Sequence, residues 1–298
     1  MIDVACLVSE AARGLLPRAA IGAVVAPTAL ADIAPESSFL APLGRGEVRL
    51  AFAVDEEAAR RADSFSTTVE ASGGKATVWG EKAYVPDAGS SAVHLVAARE
   101  NGGVSLVLVD ADGEGVQRSE LRSFGGDRQA NVRYERAPVV ERIGAAGQGG
   151  EILLRLERVR QAFALAQMLG GMEAVLATTV DYVKEREQFG QKIALFQAVR
   201  HQIADMGMRL TASKHLGWQV ISRIGVRRER SPQLATALAY VGPAFKELCV
   251  TGHHLHGGAG FVVEHSLRFH SERAQSLAIR FAPQAPALEV VAGALLDG

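Results

Sequence analysis

The stretch "DYVKEREQFGQKIALFQ", residues 181–197, interrupts a long helical part of the sequence with an unusual set of residues. It contains Arg186, the pair Phe189 and Gly190, and Gln197. A helix that ends in a glycine C-cap would explain Gly190, because glycine adopts the left-handed conformation at that position without strain. It would not explain the arginine, the phenylalanine or the glutamine. A helix end alone therefore does not account for the stretch.

The sequence around this stretch has helical periodicity. Apolar residues recur with a helical spacing in residues 151–186, 195–226, 232–255, 262–280 and 285–296. Antiparallel helices of this length pack as a bundle. Residues 151–298 are therefore predicted to form a C-terminal four-helix-bundle domain.

Residues 47–143 have a different pattern, with short segments that are rich in β-branched residues and partly alternating. The segments are "EVRLAFAV", "FSTTVEA", "KATVWGE", "AVHLVAA" and "VSLVLV". Turn sequences such as "SGGK" and "ENGG" separate them. This pattern predicts a middle antiparallel β domain that resembles a barrel, joined to the bundle by the glycine-rich linker 144–150.

Residues 1–46 are rich in Ala and Leu and predict two or three short helices, interrupted at Pro17, Pro27 and Pro35. The predicted fold class is α+β, with helices first, then the β domain, then the bundle.

The composition excludes several classes of protein. Lys plus Arg (32) nearly balance Asp plus Glu (33), so the chain lacks the basic field that holds nucleic acid. The two cysteines, Cys6 and Cys249, lie far apart in the sequence, which predicts a reducing cytoplasm and not a disulfide framework. The apolar run in residues 21–34 is too short and too interrupted for a bilayer, so no membrane association is expected.

Two motifs resemble the signature of the acyl-CoA dehydrogenase family. The family has a Tyr, then Arg-x-Gln-Phe-Gly, then Phe-Gln, then Ala-Asp-Met. The matching residues here are Tyr182, Arg186, Gln188, Phe189, Gly190, Ile193, Phe196, Gln197, His201, Ala204, Asp205 and Met206. The second motif, "HHLHGGAGF" in residues 253–261, resembles Gln-Ile-His-Gly-Gly-x-Gly-Phe, with His254 where the family has Gln. The spacing between the two motifs also agrees with the family.

The resemblance implies FAD as the cofactor and an acyl-CoA thioester as the substrate. A forked guanidinium suits the pyrophosphate of a flavin dinucleotide, and glycines allow close approach of the backbone. By resemblance, Arg186 and Phe189 reach across a dimer interface to the FAD of a neighbouring subunit. The other residues assigned to that site are Gln197, His254, Gly257 and Gly258. An electron-transfer flavoprotein or a similar acceptor is implied as a further partner.

The chain departs from the family in its N-terminal segment and at two places in the β domain. The family has further helices in front, so by resemblance residues 1–46 are the remnant of a larger N-terminal helical domain, and either the gene model starts late or that domain is truncated. Residues 53–65, "AVDEEAARRADSF", replace Thr-Glu-Pro-x-x-Gly-Ser-Asp, and no Gly-Ser pair remains. In "GEKAYVPD", Tyr84 takes the place of a Trp, and Pro86 takes that of a hydroxyl residue and cannot donate a hydrogen bond.

The catalytic base of the family is absent from both of its usual positions. Proton removal α to a thioester needs a positioned carboxylate. The usual Glu position falls on Phe281, and the second position known in the family falls at or beside Arg160. Glu157, one helical turn before Arg160, would qualify as a base if the register differed by a turn.

Three functions are therefore compatible with the sequence. The first is one subunit of a heteromeric (α2β2) dehydrogenase that lacks its own base, as in the actinobacterial enzymes acting on steroid side chains, with a second subunit supplying the Glu. The second is a self-sufficient homotetramer with an unrecognised base such as Glu157 or Glu264. The third is a non-catalytic scaffold. The histidines of residues 253–270 lack a metal-ligand pattern, so no metal is expected.

Overall fold

The computed structural model describes residues 1–57, 64–227 and 231–296. Two compact units divide the chain. One contains Met1–Pro17 and Gln161–Gly298, and the other contains Arg18–Arg160.

The first unit is helical. Its helices are α1 (Ile2–Arg13), α4 (Gly150–Glu185, which begins in the other unit), α5 (Gln197–Gly225), α6 (Ser231–His256), α7 (Ser266–Phe281) and α8 (Gln284–Leu296). These bounds lie within a few residues of those predicted from periodicity. The helices after the linker were thus predictable because each carries a sustained apolar face.

Two adjacent glycines allow other helices to pack closely on α4. A Cβ atom on Gly170 would lie 1.9 Å from the carbonyl oxygen of Ser9 on α1. A Cβ atom on Gly171 would lie 2.4 Å from the ring of Phe245 on α6. Neither position tolerates a side chain without displacement of its neighbour, so the pair fixes how near α1 and α6 come to α4.

Helix α4 is also the one helix among the described residues with the length and apolar composition of a membrane span. Of its most apolar window, 67% is buried inside the fold. Its hydropathy is weak evidence for a membrane span, because buried core helices have the same composition.

The second unit contains the β sheet and two short helices, α2 (Arg18–Ile33) and α3 (Leu40–Gly44). Its strands are β1 (Leu50–Ala53), β2 (Thr68–Ser72), β3 (Lys75–Pro86), β4 (Val93–Glu100), β5 (Gly103–Asp110), β6 (Val116–Arg122) and β7 (Arg128–Ile143). The strand order is β1-β4-β2-β3-β7-β5, with β6 on β7 and a further pairing of β4 with β5. The pairing of β4 with β5 closes the sheet on itself, as in a barrel.

Most of these pairs are antiparallel, as predicted, but β1 pairs with β4 in parallel, with Leu50 opposite Val93. The core lies among small and β-branched side chains on one face of the strands. Its members include Val78, Val96, Val107, Val132 and Tyr134.

The sequence prediction was wrong at Pro27, where we expected a break between helices. Helix α2 continues from Arg18 to Ile33 through this proline. An interior proline costs about 3 kcal/mol, but α2 buries Ile21, Val25 and Leu30. Burial of side chains of this size stabilises the helix by about 1.5–3 kcal/mol each, which offsets the lost hydrogen bond.

Candidate functional site

The first motif forms a helix end followed by a tight hairpin. After α4 ends at Glu185, strands β8 (Glu187–Gln188) and β9 (Gln191–Lys192) pair with each other. Phe189 and Gly190 form the turn, with φ values of 55° and 79°. Two successive residues with positive φ are characteristic of the type I′ turn. A phenylalanine is uncommon in this conformation. The turn therefore holds the backbone of Phe189 in a conformation that residues with a Cβ atom disfavour.

The turn exposes the aromatic ring of Phe189 almost completely, at 92%. Its one aromatic neighbour among the described residues is Phe196, in an edge-to-face contact with ring centroids 6.1 Å apart. Gln197 begins α5 directly after Phe196 and is also exposed.

Arg186 is fixed through its backbone, whereas its side chain is exposed. Its N–H donates to the carbonyl of Tyr182 at 2.9 Å, and its carbonyl accepts from Ile193 at 2.9 Å. Among the residues that the structure describes, no carboxylate forms an ion pair with the Arg186 guanidinium. The guanidinium is therefore available to an external anion.

The second motif follows the end of α6. The helix ends at His256, and a short 3₁₀ turn covers Gly257–Phe261. His254, Gly257 and Gly258 are exposed. No atom lies within 4 Å of a Cβ built on Gly257 or Gly258, so the backbone there faces open space.

Tyr182 and His256 connect the two motifs. The Tyr182 hydroxyl donates to the His256 carbonyl at 3.1 Å. The two rings stack with centroids 4.2 Å apart and an angle of 21° between their planes. Both residues lie in the quoted motifs, but sequence reasoning gave neither a role. A pairing across 74 positions leaves no local signal in a single sequence.

The structure thus brings together parts of the predicted cofactor set. Arg186, Phe189 and Gln197 belong to one continuous segment, and His254, Gly257 and Gly258 to the other. The contact between Tyr182 and His256 joins the two segments within the helical unit. The assignment of these six residues to a cofactor remains a prediction.

The histidines near the second motif have neighbours other than a metal. His253 Nε2 lies 2.7 Å from Ser271 Oγ, and His265 Nδ1 accepts from the N–H of Leu267 at the start of α7. No group of three or more His, Cys, Asp or Glu side chains is placed to hold a metal ion within the described ranges. Burial lowers the pKa of His270 to about 4 and also lowers that of His256.

Neither of the two positions predicted for the base holds a carboxylate that could remove a proton. Phe281 is the last residue of α7, with the Arg280 guanidinium 5.7 Å from its ring centroid. Arg160 is buried and pairs with Glu157 and Asp55. Burial disfavours its charge, but the two carboxylates outweigh burial and raise the pKa of Arg160. The carboxylate of Glu157 is thus bound to a cation, and Glu264 is exposed.

A buried ion pair occupies the corner where the sequence departs from the family's Gly-Ser motif. The Glu56 carboxylate accepts from Lys82 Nζ at 2.7 Å and from the backbone N–H of Ser66 and Thr67 at 2.7 and 3.1 Å. Lys82 is fully buried, and its ammonium lies 3.8 Å from the ring centroid of Phe65. Residues 58–63 of the departing stretch lie outside the described residues.

The environment shifts the pKa values of both partners of this pair. Burial lowers the pKa of Lys82 to about 8, against the opposing attraction of Glu56. For Glu56, burial acts to raise the pKa, but the hydrogen bond and charge of Lys82 outweigh it and lower the pKa to about 2. The Glu56 carboxylate is ionised and accepts several hydrogen bonds, so its role is structural.

Tyr84 and Pro86 lie at the end of the same strand. Tyr84 has a φ of 54° at an irregularity in the pairing of β3 with β7. Its backbone N–H donates to Asn131 Oδ1 at 3.2 Å. Bulges of this kind re-aim a side chain, and here the half-exposed phenol is turned out of the regular alternation.

Two family models match most of the chain. Residues 51–136 match the middle domain of acyl-CoA dehydrogenase, and residues 147–294 match its C-terminal domain. The chain belongs to the acyl-CoA dehydrogenase family. The fold predicted from the sequence is thereby confirmed.

Known acyl-CoA dehydrogenase relatives are distant in sequence and close in structure. The caffeyl-CoA reductase-Etf complex subunit CarC of Acetobacterium woodii is 27% identical over 77% of this chain and 63% of its own length. A solved Tcur3481-Tcur3483 steroid ACAD variant is 25% identical over 100% of this chain and 81% of that chain, with a TM-score of 0.87. The ChsE4-ChsE5 complex of Mycobacterium tuberculosis is 22% identical over 99% and 80% of the two chains, with a TM-score of 0.87.

The match to CarC shows that the chain covers less than two thirds of the length of that relative. Homologues in the family are FAD flavoproteins, and PigA was solved with FAD and proline. The cofactor class predicted from the resemblance is thus confirmed for the family.

The exposed motif residues of this chain fit part of a dinucleotide. The Arg186 guanidinium has no competing carboxylate among the described residues, which suits a pyrophosphate. The open backbone at Gly257 and Gly258 leaves room for a ligand to approach the main chain. This surface has groups that can bind and orient an anionic ligand.

Proposed function

We propose that this chain is a subunit of an FAD-dependent acyl-CoA dehydrogenase that completes the FAD site of a partner subunit and lacks a catalytic base of its own. One observation carries the proposal: the residues assigned to the cofactor are exposed, and Arg186 has no carboxylate partner among the described residues, whereas Phe281 and the ion-paired Arg160 occupy the positions predicted for the base. A surface that has kept its ligand groups without the base suits a subunit that assists another.

Each exposed residue has a distinct part in this role. Arg186 binds the pyrophosphate of the partner's FAD, because a planar guanidinium can meet two phosphate oxygens at once. Phe189 covers part of the cofactor with its ring, and Gln197 and His254 donate or accept hydrogen bonds at its polar groups. When bound, FAD supplies the acceptor for a hydride from the β-carbon of the thioester.

The partner supplies the carboxylate that removes the α-proton. In this chain Glu157 is poorly suited to remove that proton, because its carboxylate is paired with Arg160. If Glu157 moved away to act as a base, the buried Arg160 guanidinium would lose one of its two carboxylate partners. This cost disfavours a self-sufficient homotetramer that uses Glu157.

The names of the relatives support a heteromer. Tcur3481-Tcur3483 and ChsE4-ChsE5 are each named as a pair of proteins, and the first is called a steroid ACAD. We extend this to the present chain as an α2β2 assembly that dehydrogenates an acyl-CoA, with a steroid side chain as the candidate acyl group. CarC is named as a subunit of a complex with Etf, which supports an electron-transfer flavoprotein as acceptor.

The test is to purify the chain alone and together with a full-length, base-bearing dehydrogenase encoded beside it. We expect the chain alone to bind FAD weakly or to be poorly soluble, because half of each flavin site would lack a partner. The co-purified pair should form a heterotetramer by light scattering, contain FAD, and lose its flavin absorbance when an acyl-CoA is added.

One result would overturn this proposal. If the chain alone purifies as a homotetramer with stoichiometric FAD and oxidises acyl-CoA, it carries a base of its own. A co-purified pair without flavin would instead favour a scaffold.

A further inference from the structure

Tyr182 contacts the backbone of both cofactor motifs. It lies near the end of α4, and its carbonyl accepts the N–H of Arg186 at 2.9 Å. Its hydroxyl donates to the carbonyl of His256 at 3.1 Å. One residue therefore links the backbone that carries the guanidinium to the backbone that leads into Gly257.

The accepting carbonyl lies at a point where a helix needs a partner. The last carbonyls of a helix have no intrahelical donor, and His256 is the last residue of α6. The next residue, Gly257, has a φ of 57°, so the chain turns sharply there. The Tyr182 hydroxyl thus occupies the acceptor at the start of this turn.

The imidazole of His256 is held on several sides. Its Nδ1 donates to the Gly252 carbonyl at 2.8 Å, which fixes the tautomer, and its ring stacks on Tyr182. The His265 ring meets it edge-on with centroids 4.9 Å apart. Its Nε2 is buried and has no hydrogen-bond partner within the described ranges. The neutral ring therefore acts here as a packing surface.

The glycines of the turn differ in what surrounds them. A Cβ atom on Gly260 would lie 2.8 Å from Cβ of His256 and 3.4 Å from Cα of His253, so this side of the turn is packed. A Cβ atom on Gly257 or Gly258 would meet nothing within 4 Å. The turn is thus anchored through His256 on one side and open on the other.

We propose that Tyr182 and His256 are positioning residues that hold the Gly257–Gly258 backbone in a fixed place relative to Arg186. The coupling is a property of this chain and exists without a ligand. The identity of the ligand that benefits from it, FAD, rests on the function proposed above. A preorganised site binds more tightly, since less ordering remains for the ligand to impose.

The first test measures the coupling without flavin, by hydrogen–deuterium exchange of the backbone amides of residues 257–262 in the full chain. Tyr182→Phe removes the hydroxyl and keeps the stacked ring. Loss of a hydrogen bond worth about 1 kcal/mol predicts roughly fivefold faster exchange in this segment. Tyr182→Leu removes the stack as well and should increase exchange further. Equal exchange in wild type and Tyr182→Phe would overturn the proposal.

The matched control is Tyr240→Phe, which changes a partly exposed tyrosine of α6 whose hydroxyl has no hydrogen bond in the described parts of the chain. It should leave exchange at residues 257–262 unchanged. Faster exchange in the control as well would show a general effect of removing hydroxyls and would count against the proposal. If Tyr182→Leu does not fold, Tyr182→Phe alone decides.

The second test measures FAD release from the co-purified complex by fluorescence. Tyr182→Phe should raise the FAD dissociation constant about three- to tenfold, while Tyr240→Phe should not change it. If the wild-type complex holds no FAD, the proposed function fails, but the exchange experiment still tests the coupling. If the wild-type complex binds FAD and Tyr182→Phe changes neither exchange nor affinity, the coupling fails and the function stands.

Discussion

In the unit that contains the sheet, Glu56 and Lys82 form a buried ion pair. In contrast, Arg186, directly after α4, is exposed and has no carboxylate partner among the described residues. Glu100 and Arg142 form a second pair in the sheet, with Ser105 donating to the same carboxylate. These two pairs in the sheet-containing unit are each complete within the chain, whereas the described residues supply no carboxylate for Arg186.

The difference separates charges that serve stability from charges that serve binding. A buried pair is costly to break, because removal of one partner leaves the other desolvated and unpaired. An exposed arginine contributes little to folding and can be replaced with little loss of stability. Substitutions in the two regions should therefore affect different measurements.

The largest effect is expected from Glu56→Ala. The variant leaves the fully buried Lys82 without its carboxylate, so the free energy of unfolding should fall by about 3–5 kcal/mol at pH 7. The loss should be smaller at pH 9, since Lys82 is then largely neutral and less costly to bury. Guanidinium denaturation at the two pH values measures both.

Glu247→Ala is the matched control, because Glu247 pairs with Arg209 on the surface. Exposed pairs contribute little, so its unfolding free energy should change by no more than about 0.5 kcal/mol. A loss of less than about 1 kcal/mol for Glu56→Ala would mean that the buried pair does not stabilise the sheet as described.

The next effect is the dependence of stability on pH. Burial lowers the pKa of His94 to about 4, below its ordinary value of 6.5. The unfolded chain then binds more protons between these values, so stability falls as the pH falls from about 6.5 to 4. A shift of this size corresponds to roughly 3 kcal/mol.

His94→Gln should remove this part of the acid sensitivity. His270, whose pKa is lowered to about 4 in the helical unit, should retain its own part. Denaturation curves of wild type and variant at pH 7, 5.5 and 4 measure the difference. Parallel pH profiles for the two proteins would contradict a neutral, buried His94.

A smaller effect, on binding alone, is expected from Arg186→Ala. The FAD affinity of the heteromer should fall by about 1.5–3 kcal/mol, roughly ten- to a hundredfold, because a charge-assisted hydrogen bond is lost. Stability and helix content should stay nearly unchanged, since Arg186 lies just after α4 and its side chain is exposed. Arg186→Lys should restore part of the affinity, because an ammonium keeps the charge without the fork.

Flavin titrations of the three complexes at matched salt measure this series. Equal affinities would show that the motif is a structural remnant, and the scaffold would become the better description.

The smallest effect on chemistry is expected from Phe281→Ala. If the partner supplies the base, turnover of the complex should stay within about twofold of wild type. A loss of about 10³-fold, the scale of a group acting directly in proton transfer, would place Phe281 within the reacting centre.

Much of the fold could be predicted from the sequence, because most helices and strands have a local apolar periodicity. The helices after the linker and strands β1 to β5 coincide with apolar patterns. Strands β6 and β7 were not picked out as segments, since β6 is largely exposed and β7 carries arginines, glutamates and Pro138 along its length. Their pairing with each other and with β3 and β5 makes them strands, and such long-range pairing is not visible in a local pattern.

The sequence predicted which residues form the candidate site, and that assignment stays a prediction. The structure adds contacts between residues that the motifs did not indicate. The sequence did not show that the Tyr182 side chain contacts His256, or that Lys82 of β3 forms an ion pair with Glu56. These pairings depend on tertiary packing. Tertiary packing brings together residues that are distant in the sequence, and the spacing of those residues does not indicate the contact.

The turn at Phe189 affects how the stability of this chain can be engineered when the chain is expressed alone. A left-handed phenylalanine costs about 1 kcal/mol relative to glycine, and its exposed ring gains nothing from burial in the free chain. A laboratory selection for solubility or thermal resistance of the lone subunit would therefore favour glycine or asparagine at this position. Such a selection would discard the aromatic ring that we propose covers part of the cofactor, so variants should be screened in the co-purified complex.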